Sequence, residues 1–439
     1  MRVLLVSPCF PPQDNIASLR AAAFARHWSD AGEEVAVLTT AKDEAPEDSW
    51  GTDNQYSVAE ISYDVPLIFR ALRRREHQAG KVIAQNTGSI AVAEGKQGPL
   101  RRLRDRTGVF SAVRMPDLTD GWVKPAIAWC RKQPPWDVVV SSSGPYTAHV
   151  VGLELKRLGL ARRWVTDFRD LWVNNHLYRG LFPFTIRERM LQRRCLAQTD
   201  LVTTVSEELA QTLRSQTRAN VEVVYNGFDP AEAESLPQSR IFPDDGNVRL
   251  VYTGTLYRDG QNPAPLLEAM RTLRQDNPDL AGRLRLVVVG RGYEYWARLA
   301  RRYGVAELVQ AHEAVDRPEA LRMQRDADAL VLVDWNDPKA GVLTGKLFEY
   351  LSVRAPILVV GGSAESAMAR MVGKVGRGFH LGIDVQRIID ALTNLLAAPP
   401  QLHTEPNHEL IASFTRRSQS LRLLEMIRET APSLMPARS

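Results

Sequence analysis

The segment Thr344-Gly-Lys-Leu-Phe-Glu-Tyr-Leu351 has the residue types and spacing of an anion site. Thr344 and Gly345 suit a helix start, where unpaired backbone N–H groups and the positive end of the helix dipole attract phosphate. Lys346 adds a full positive charge, and the amides of Val342, Leu343, Thr344 and Gly345 can complete the cradle. Glu349 follows Lys346 by three positions, so it shares a helix face with it and can accept hydrogen bonds from ribose hydroxyls. The same spacing also suits an ordinary surface ion pair between the two side chains, worth a few tenths of a kcal/mol. Further candidates stand directly after apolar runs: Pro8-Cys-Phe-Pro-Pro12, Ser141-Ser-Ser-Gly144, Asp167-Phe-Arg-Asp170, Gly254-Thr255 and Gly290-Arg-Gly292. Open parallel sheets bind ligands beyond the carboxyl ends of their strands, which is where these residues fall.

Other chemistries lack their residues. Gly290-Arg-Gly292 is not followed by a third glycine, since Tyr295 stands there, so it reads as a tight turn and not as an NAD or FAD site. Asp326-Ala-Asp328 imitates a paired-carboxylate metal site but runs straight into an apolar strand, so it reads as a helix end and a strand start. No HExxH, GKS/GKT or GxSxG motif occurs, which argues against a metalloprotease, a P-loop NTPase and a serine hydrolase. Cys9, Cys130 and Cys195 share no metal-ligand spacing and read as reduced and structural.

The elements that position these residues alternate along all 439 residues. Strands are predicted at 2–6, 34–38, 137–141, 164–167, 201–205 and 221–225, with helices at 20–31, 147–158, 185–197 and 207–215. The turn-rich Asn226-Gly-Phe-Asp-Pro230 closes this series. A second series has strands at 249–253, 285–289, 329–333 and 357–360, helices at 263–276, 294–303 and 346–353, and closing helices from 385. The expectation is an α/β protein of two doubly wound, Rossmann-like domains facing each other across a cleft: 1–228, then 229–412. Residues 413–439 form a C-terminal helix that can pack back on the first domain.

Charge is uneven. The chain carries +5, yet residues 70–106 hold ten Lys/Arg against Glu76, Glu94 and Asp105, a local +7. Such a basic insertion is either a solvated segment or a contact with an anionic membrane surface, where each cation adds roughly 1 kcal/mol. Nucleic acid is not expected as a partner, because the segment has almost no aromatic residues to stack on bases. No apolar stretch reaches the roughly 18 residues of a membrane span, and the first apolar run is too short for a signal peptide. A cytoplasmic protein, peripheral on the inner face of the membrane where the insertion docks, is the expectation.

Taken together, Phe10-Pro-Pro12 with Arg20, Gly144-Pro-Tyr-Thr-Ala-His149, Asp167-Phe-Arg-Asp-Leu-Trp172, Asn226-Gly-Phe-Asp229, Tyr252-Thr-Gly254 and Gly345-Lys-Leu-Phe-Glu-Tyr-Leu351 resemble the bacterial glycosyltransferases of family 4, with the GT-B fold. The motifs occur in the family's order over nearly the whole chain. The resemblance implies a retaining, hexosyltransferase-type enzyme that moves a sugar from a nucleotide-diphosphate donor without a bound metal or other cofactor. The donor would sit mainly on the second domain, at Gly254, Thr255, Arg258, Gly290 and Val342 to Lys346, with Glu349 matching the glutamate that holds the ribose. His149 matches a histidine near the donor sugar and, with Asp170, is a candidate catalytic residue. Asn15, Arg20, Asp167 and Arg169 fall on the acceptor side of the cleft.

The sequence departs from the family at three places. Gly341 stands where the first of the paired glutamates is expected, and Thr255 and Gln261 replace the diphosphate-binding arginine and lysine. Arg258 and Lys346 are the nearby cations that can substitute. The acceptor implied is a glycan or lipid-linked oligosaccharide of cell-surface polysaccharide synthesis. The alternatives are a soluble small molecule, a non-catalytic nucleotide-sugar-binding subunit, and a sugar-nucleotide epimerase of related architecture.

Overall fold

The computed structural model describes residues 1–42, 56–64, 103–104, 106–175, 177–337, 341–397 and 403–430. The basic run 70–106 therefore lies outside the described residues, except at 103, 104 and 106. The chain divides into two compact units, Met1–Asn226 together with the segment from Arg416, and Gly227–Thr415.

The first unit is built on a seven-stranded parallel sheet. Its strands are β1 (Arg2–Val6), β2 (Glu34–Thr40), β3 (Ser57–Ile61), β4 (Trp136–Ser142), β5 (Ala161–Phe168), β6 (Leu201–Thr204) and β7 (Asn220–Val223), in the order β3-β2-β1-β4-β5-β6-β7. β1 lies between β2 and β4, with Val3 opposite Val35 on one side and Val138 on the other. Successive side chains of β1 point to opposite faces, so Val3 and Leu5 enter one core and Leu4 and Val6 the other. A strand covered on both faces reads as one continuous apolar run, which is why β1 is visible in the sequence. The helix Ile16–Asp30 starts a turn earlier than its apolar pattern predicts, because Asn15 caps it by accepting from the Ser18 amide. The helix Arg416–Glu429 packs on it: Leu423, Leu424 and Ile427 join Phe24 and Trp28 in the core, and the Trp28 indole donates to the Ser420 carbonyl at 2.8 Å.

The second unit has a six-stranded parallel sheet. Its strands are β8 (Val248–Thr253), β9 (Leu284–Val289), β10 (Val309–His312), β11 (Ala329–Val333), β12 (Ile357–Val360) and β13 (Gly378–Gly382), in the order β10-β9-β8-β11-β12-β13. The chain winds outward from β8 in one direction and from β11 in the other, which puts a topological switch point between these two strands. The helix predicted at 346–353 is shorter, Gly345–Tyr350. Asp326 and Asp328 serve separately: Asp326 accepts from the Ile241 amide at the end of the helix Arg317–Arg325, and Asp328 accepts from the Arg249 amide before β11. β3, β10 and β13 are not in the predicted set. All three are edge strands.

Among the described residues, no helix is long and apolar enough to cross a membrane. None of the three cysteines is in a disulfide, and all are buried.

Candidate functional site

The switch point of the second unit gathers the residues with most chemistry. β8 ends at Thr253 and the chain turns at Gly254 with φ +99°; β9 ends at Val289 and turns at Gly290 with φ +134°. Both conformations favour glycine, and at Gly290 the neighbouring backbone leaves no space for a side chain either. A Cβ at Gly290 would lie 2.3 Å from the Gly254 carbonyl oxygen, and a Cβ at Gly254 would lie 2.7 Å from Cε of Lys346. The lysine is thus laid directly across the turn that follows β8.

Lys346 Nζ donates to the Thr255 carbonyl at 2.7 Å and to Tyr252 Oη at 2.6 Å, and lies 4.2 Å from the centre of the Tyr252 ring. Tyr252 Oη in turn donates to the Thr255 carbonyl at 2.8 Å. Two of the three ammonium N–H bonds are used. Burial pushes Lys346 down to about 7, against the opposing pull of the Glu349 charge. Thr344 precedes the short helix without capping it, and its Oγ1 is buried with no hydrogen-bond partner. Leu343 is buried and Val342 half-buried beside it.

Glu349 does not pair with Lys346. Its Oε1 accepts from Arg317 Nη1 at 2.6 Å, while Arg317 Nη2 and Nε hold Glu232 at 2.8 and 3.2 Å. Burial works against the Arg317 charge, but the Glu349 and Glu232 carboxylates outweigh it and raise its pKa. Gln261 is 2% exposed and internally satisfied: Nε2 donates to the Val333 carbonyl at 2.6 Å and Oε1 accepts from the Tyr257 amide at 3.0 Å. Arg258 lies over the Tyr295 ring, 5.1 Å from its centre. Gly341 has φ +63°.

The sequence reading missed Tyr252 as a lysine partner, Arg317 and Glu232 as the carboxylate clamp, and Asp334. Asp334 follows β11 and accepts from Ser366 Oγ at 2.5 Å and the Trp335 amide at 2.7 Å, with His380 Nε2 at 3.3 Å. A polar residue directly after an apolar strand was the available signal for Asp334. Arg317 and Glu232 carried none.

The first-unit candidates occupy a different setting. Arg20 forms a bidentate pair with Asp167, Nε to Oδ2 at 3.1 Å and Nη2 to Oδ1 at 2.8 Å, and also donates to the Val224 and Tyr225 carbonyls. Ser142 and Thr203 hydroxyls complete the Asp167 shell. Arg169 is folded back on the Ser143 and Gly144 carbonyls, Asn15 is a helix cap, and Asp170 is exposed. His149 is fully buried. Its Nδ1 is 2.8 Å from Ser141 Oγ, its ring lies 4.3 Å from that of Phe168, and Nε2 has no partner. Burial pushes His149 down to about 3, so it stays neutral at all higher pH. The expected result in an NMR titration is a His149 imidazole whose shifts do not move between pH 5 and 8; a midpoint inside that range would contradict the enclosed environment.

Residues 67–232 match the family described as Glycosyltransferase Family 4. No curated protein matches the sequence at a significant level. Several solved structures are similar over nearly the whole chain. The sucrose-phosphate synthase of Thermosynechococcus elongatus is 14% identical, with 97% of this chain and 98% of that chain covered and a TM-score of 0.64. The UDP-forming α,α-trehalose-phosphate synthase of Burkholderia vietnamiensis is 14% identical, covering 98% and 100%, with a TM-score of 0.62. An E. coli structure described as trehalose-6-phosphate bound with UDP-2-fluoro glucose is 12% identical, covering 98% and 100%, with a TM-score of 0.61. At these identities the likeness is one of fold.

Proposed function

We propose that this chain, with two Rossmann-like units of GT-B fold and residues 67–232 matching glycosyltransferase family 4, transfers a sugar from a nucleoside-diphosphate donor to an acceptor. The observation that carries this reading is Lys346, held across the Gly254 turn at the switch point with one N–H still to give. Breaking a sugar–phosphate bond places negative charge on the departing diphosphate, and a fixed cation in a poorly hydrated site lowers that barrier. Lys346 would supply the charge, with the unpartnered Thr344 hydroxyl and nearby amides as further donors. Glu349, oriented through Oε1 by Arg317, would offer its other oxygen to the donor ribose. These groups replace the family's arginine and lysine and make a divalent cation unnecessary in this reading.

The transfer is of the retaining, hexosyl type in this proposal, by the resemblance to family 4. The acceptor is a glycan or lipid-linked oligosaccharide of cell-surface assembly, and a soluble acceptor would need the same donor site. A second reading, a nucleotide-binding subunit with little turnover, draws on Gln261, whose side chain is spent on Tyr257 and Val333.

The test is a thermal-shift screen in EDTA against UDP, GDP, ADP, TDP and CMP and their sugar conjugates. UDP comes first, since the E. coli neighbour is described as bound with UDP-2-fluoro glucose. A ligand at about 100 times its Kd stabilises by roughly 2.7 kcal/mol. A response to one nucleoside diphosphate is expected. Silence across the panel would sink the donor site, and a response without product over a broad acceptor panel would favour the second reading.

A further inference from the structure

We propose that the helix Phe184–Gln198 of the first unit docks the protein on an anionic lipid surface. Seven large apolar side chains are exposed among the described residues, and three of them fall between 182 and 190, in this helix or just before it: Phe182 at 76%, Ile186 at 50% and Met190 at 51%. Helical positions are about 100° apart, so Ile186, Met190 and Ala197 fall within an arc of about 40°. Exposed arginines flank this arc on both sides, Arg189 and Arg193 on one and Arg187 and Arg194 on the other.

The helix carries one acidic residue, Glu188, and it faces inward. Glu188 is fully buried, 3.1 Å from Arg114, and accepts from the Met115 amide at 2.7 Å. The outward face therefore presents four guanidinium groups and no carboxylate. The inward face is fixed by Cys195 and Leu196 in the core and by Gln192, which accepts from the Val173 amide at 3.0 Å. Rotation that would hide the apolar stripe would break these contacts.

Charge complementarity selects the occupant. A second copy of this face would bring arginines against arginines, since a two-fold contact places the same patch on both sides. An anionic bilayer instead accepts the apolar side chains at the headgroup boundary while the long arginine stems reach phosphate on either side. Each cation near such a surface changes partitioning about fivefold, so four act over more than two orders of magnitude.

The test is flotation of the full chain with vesicles of mixed phosphatidylglycerol and phosphatidylcholine at low salt, beside vesicles of phosphatidylcholine alone. The wild type should bind the anionic vesicles at least tenfold better than the neutral ones. Two variants, Phe182→Ser/Ile186→Ser/Met190→Ser and Arg187→Gln/Arg189→Gln/Arg193→Gln/Arg194→Gln, should each reduce that binding at least tenfold. All the altered side chains are exposed, so thermal melts should match the wild type. No binding by the wild type, equal binding by either variant, or a loss that tracks a dimer-to-monomer change in light scattering would overturn the proposal. Vesicle binding needs neither nucleotide nor acceptor, so its failure leaves the transfer reading standing.

Discussion

Lys346→Ala lowers the affinity for the nucleoside diphosphate at least tenfold and makes what remains insensitive to pH. A charge-assisted hydrogen bond is worth about 1.5–3 kcal/mol, and about 1.4 kcal/mol is a factor of ten. Glu349→Ala should cost about fivefold, since a ribose contact is lost while Arg317 keeps Glu232. In the free protein burial has pushed Lys346 down to about 7, so much of it is neutral at and above that pH. A bound diphosphate favours the ammonium, so the complex takes up a proton and affinity falls as pH rises through 7 toward the higher pKa of the bound state. Titration calorimetry in two buffers of different ionisation enthalpy counts that proton. Wild-type affinity that is flat from pH 6 to 9, or Lys346→Ala binding like the wild type, would remove the lysine from the site.

Stability moves separately and with the opposite sense. Between about 7 and the ordinary lysine value the unfolded chain binds a proton that the folded chain does not, so folding stability gains with pH over that window. Removing the ammonium also removes its desolvation penalty. The Lys346→Ala protein is therefore expected to melt no lower than the wild type at pH 7, which separates lost binding from lost fold.

Arg20→Leu has the largest expected effect on folding. Arg20 is 5% exposed and Asp167 is not exposed at all, so the substitution strands a buried carboxylate along with the Val224 and Tyr225 carbonyls. Breaking a buried pair from one side costs about 3–5 kcal/mol, against 5–15 kcal/mol for a typical domain. The first unit should melt about 10 °C lower or more by calorimetry. Burial opposes the Asp167 charge, but Arg20 and the hydroxyls of Ser142 and Thr203 hold its carboxyl below the ordinary range. Its contribution is thus present above the usual carboxylate pKa and is lost as pH falls through the depressed one. An Arg20→Leu/Asp167→Leu protein should recover part of the loss, because no charge is then left unpaired. An unchanged melting temperature for Arg20→Leu would mean that this pair does not hold the first unit.

The sequence by itself determined the alternation of strands and helices, the two doubly wound series and the positions just after strands where polar residues gather. Strands β1, β11 and β12 are covered on both faces and read as continuous apolar runs. The glycines after β8 and β9 were legible as turns, and Lys346 and Glu349 by their spacing. Edge strands were not legible. Ser57–Ile61 and Val309–His312 are half-buried with polar residues interleaved, and Gly378–Gly382 begins and ends in glycine, so no local pattern separates them from loops. Only the tertiary structure decided the partners of the charges. Arg317 reaches Glu349 across 32 residues and Glu232 across 85, and Arg20 reaches Asp167 across 147. Periodicity places a side chain on a face of its own element, but which opposite charge it meets there depends on how that element packs against strands and helices far away in the chain.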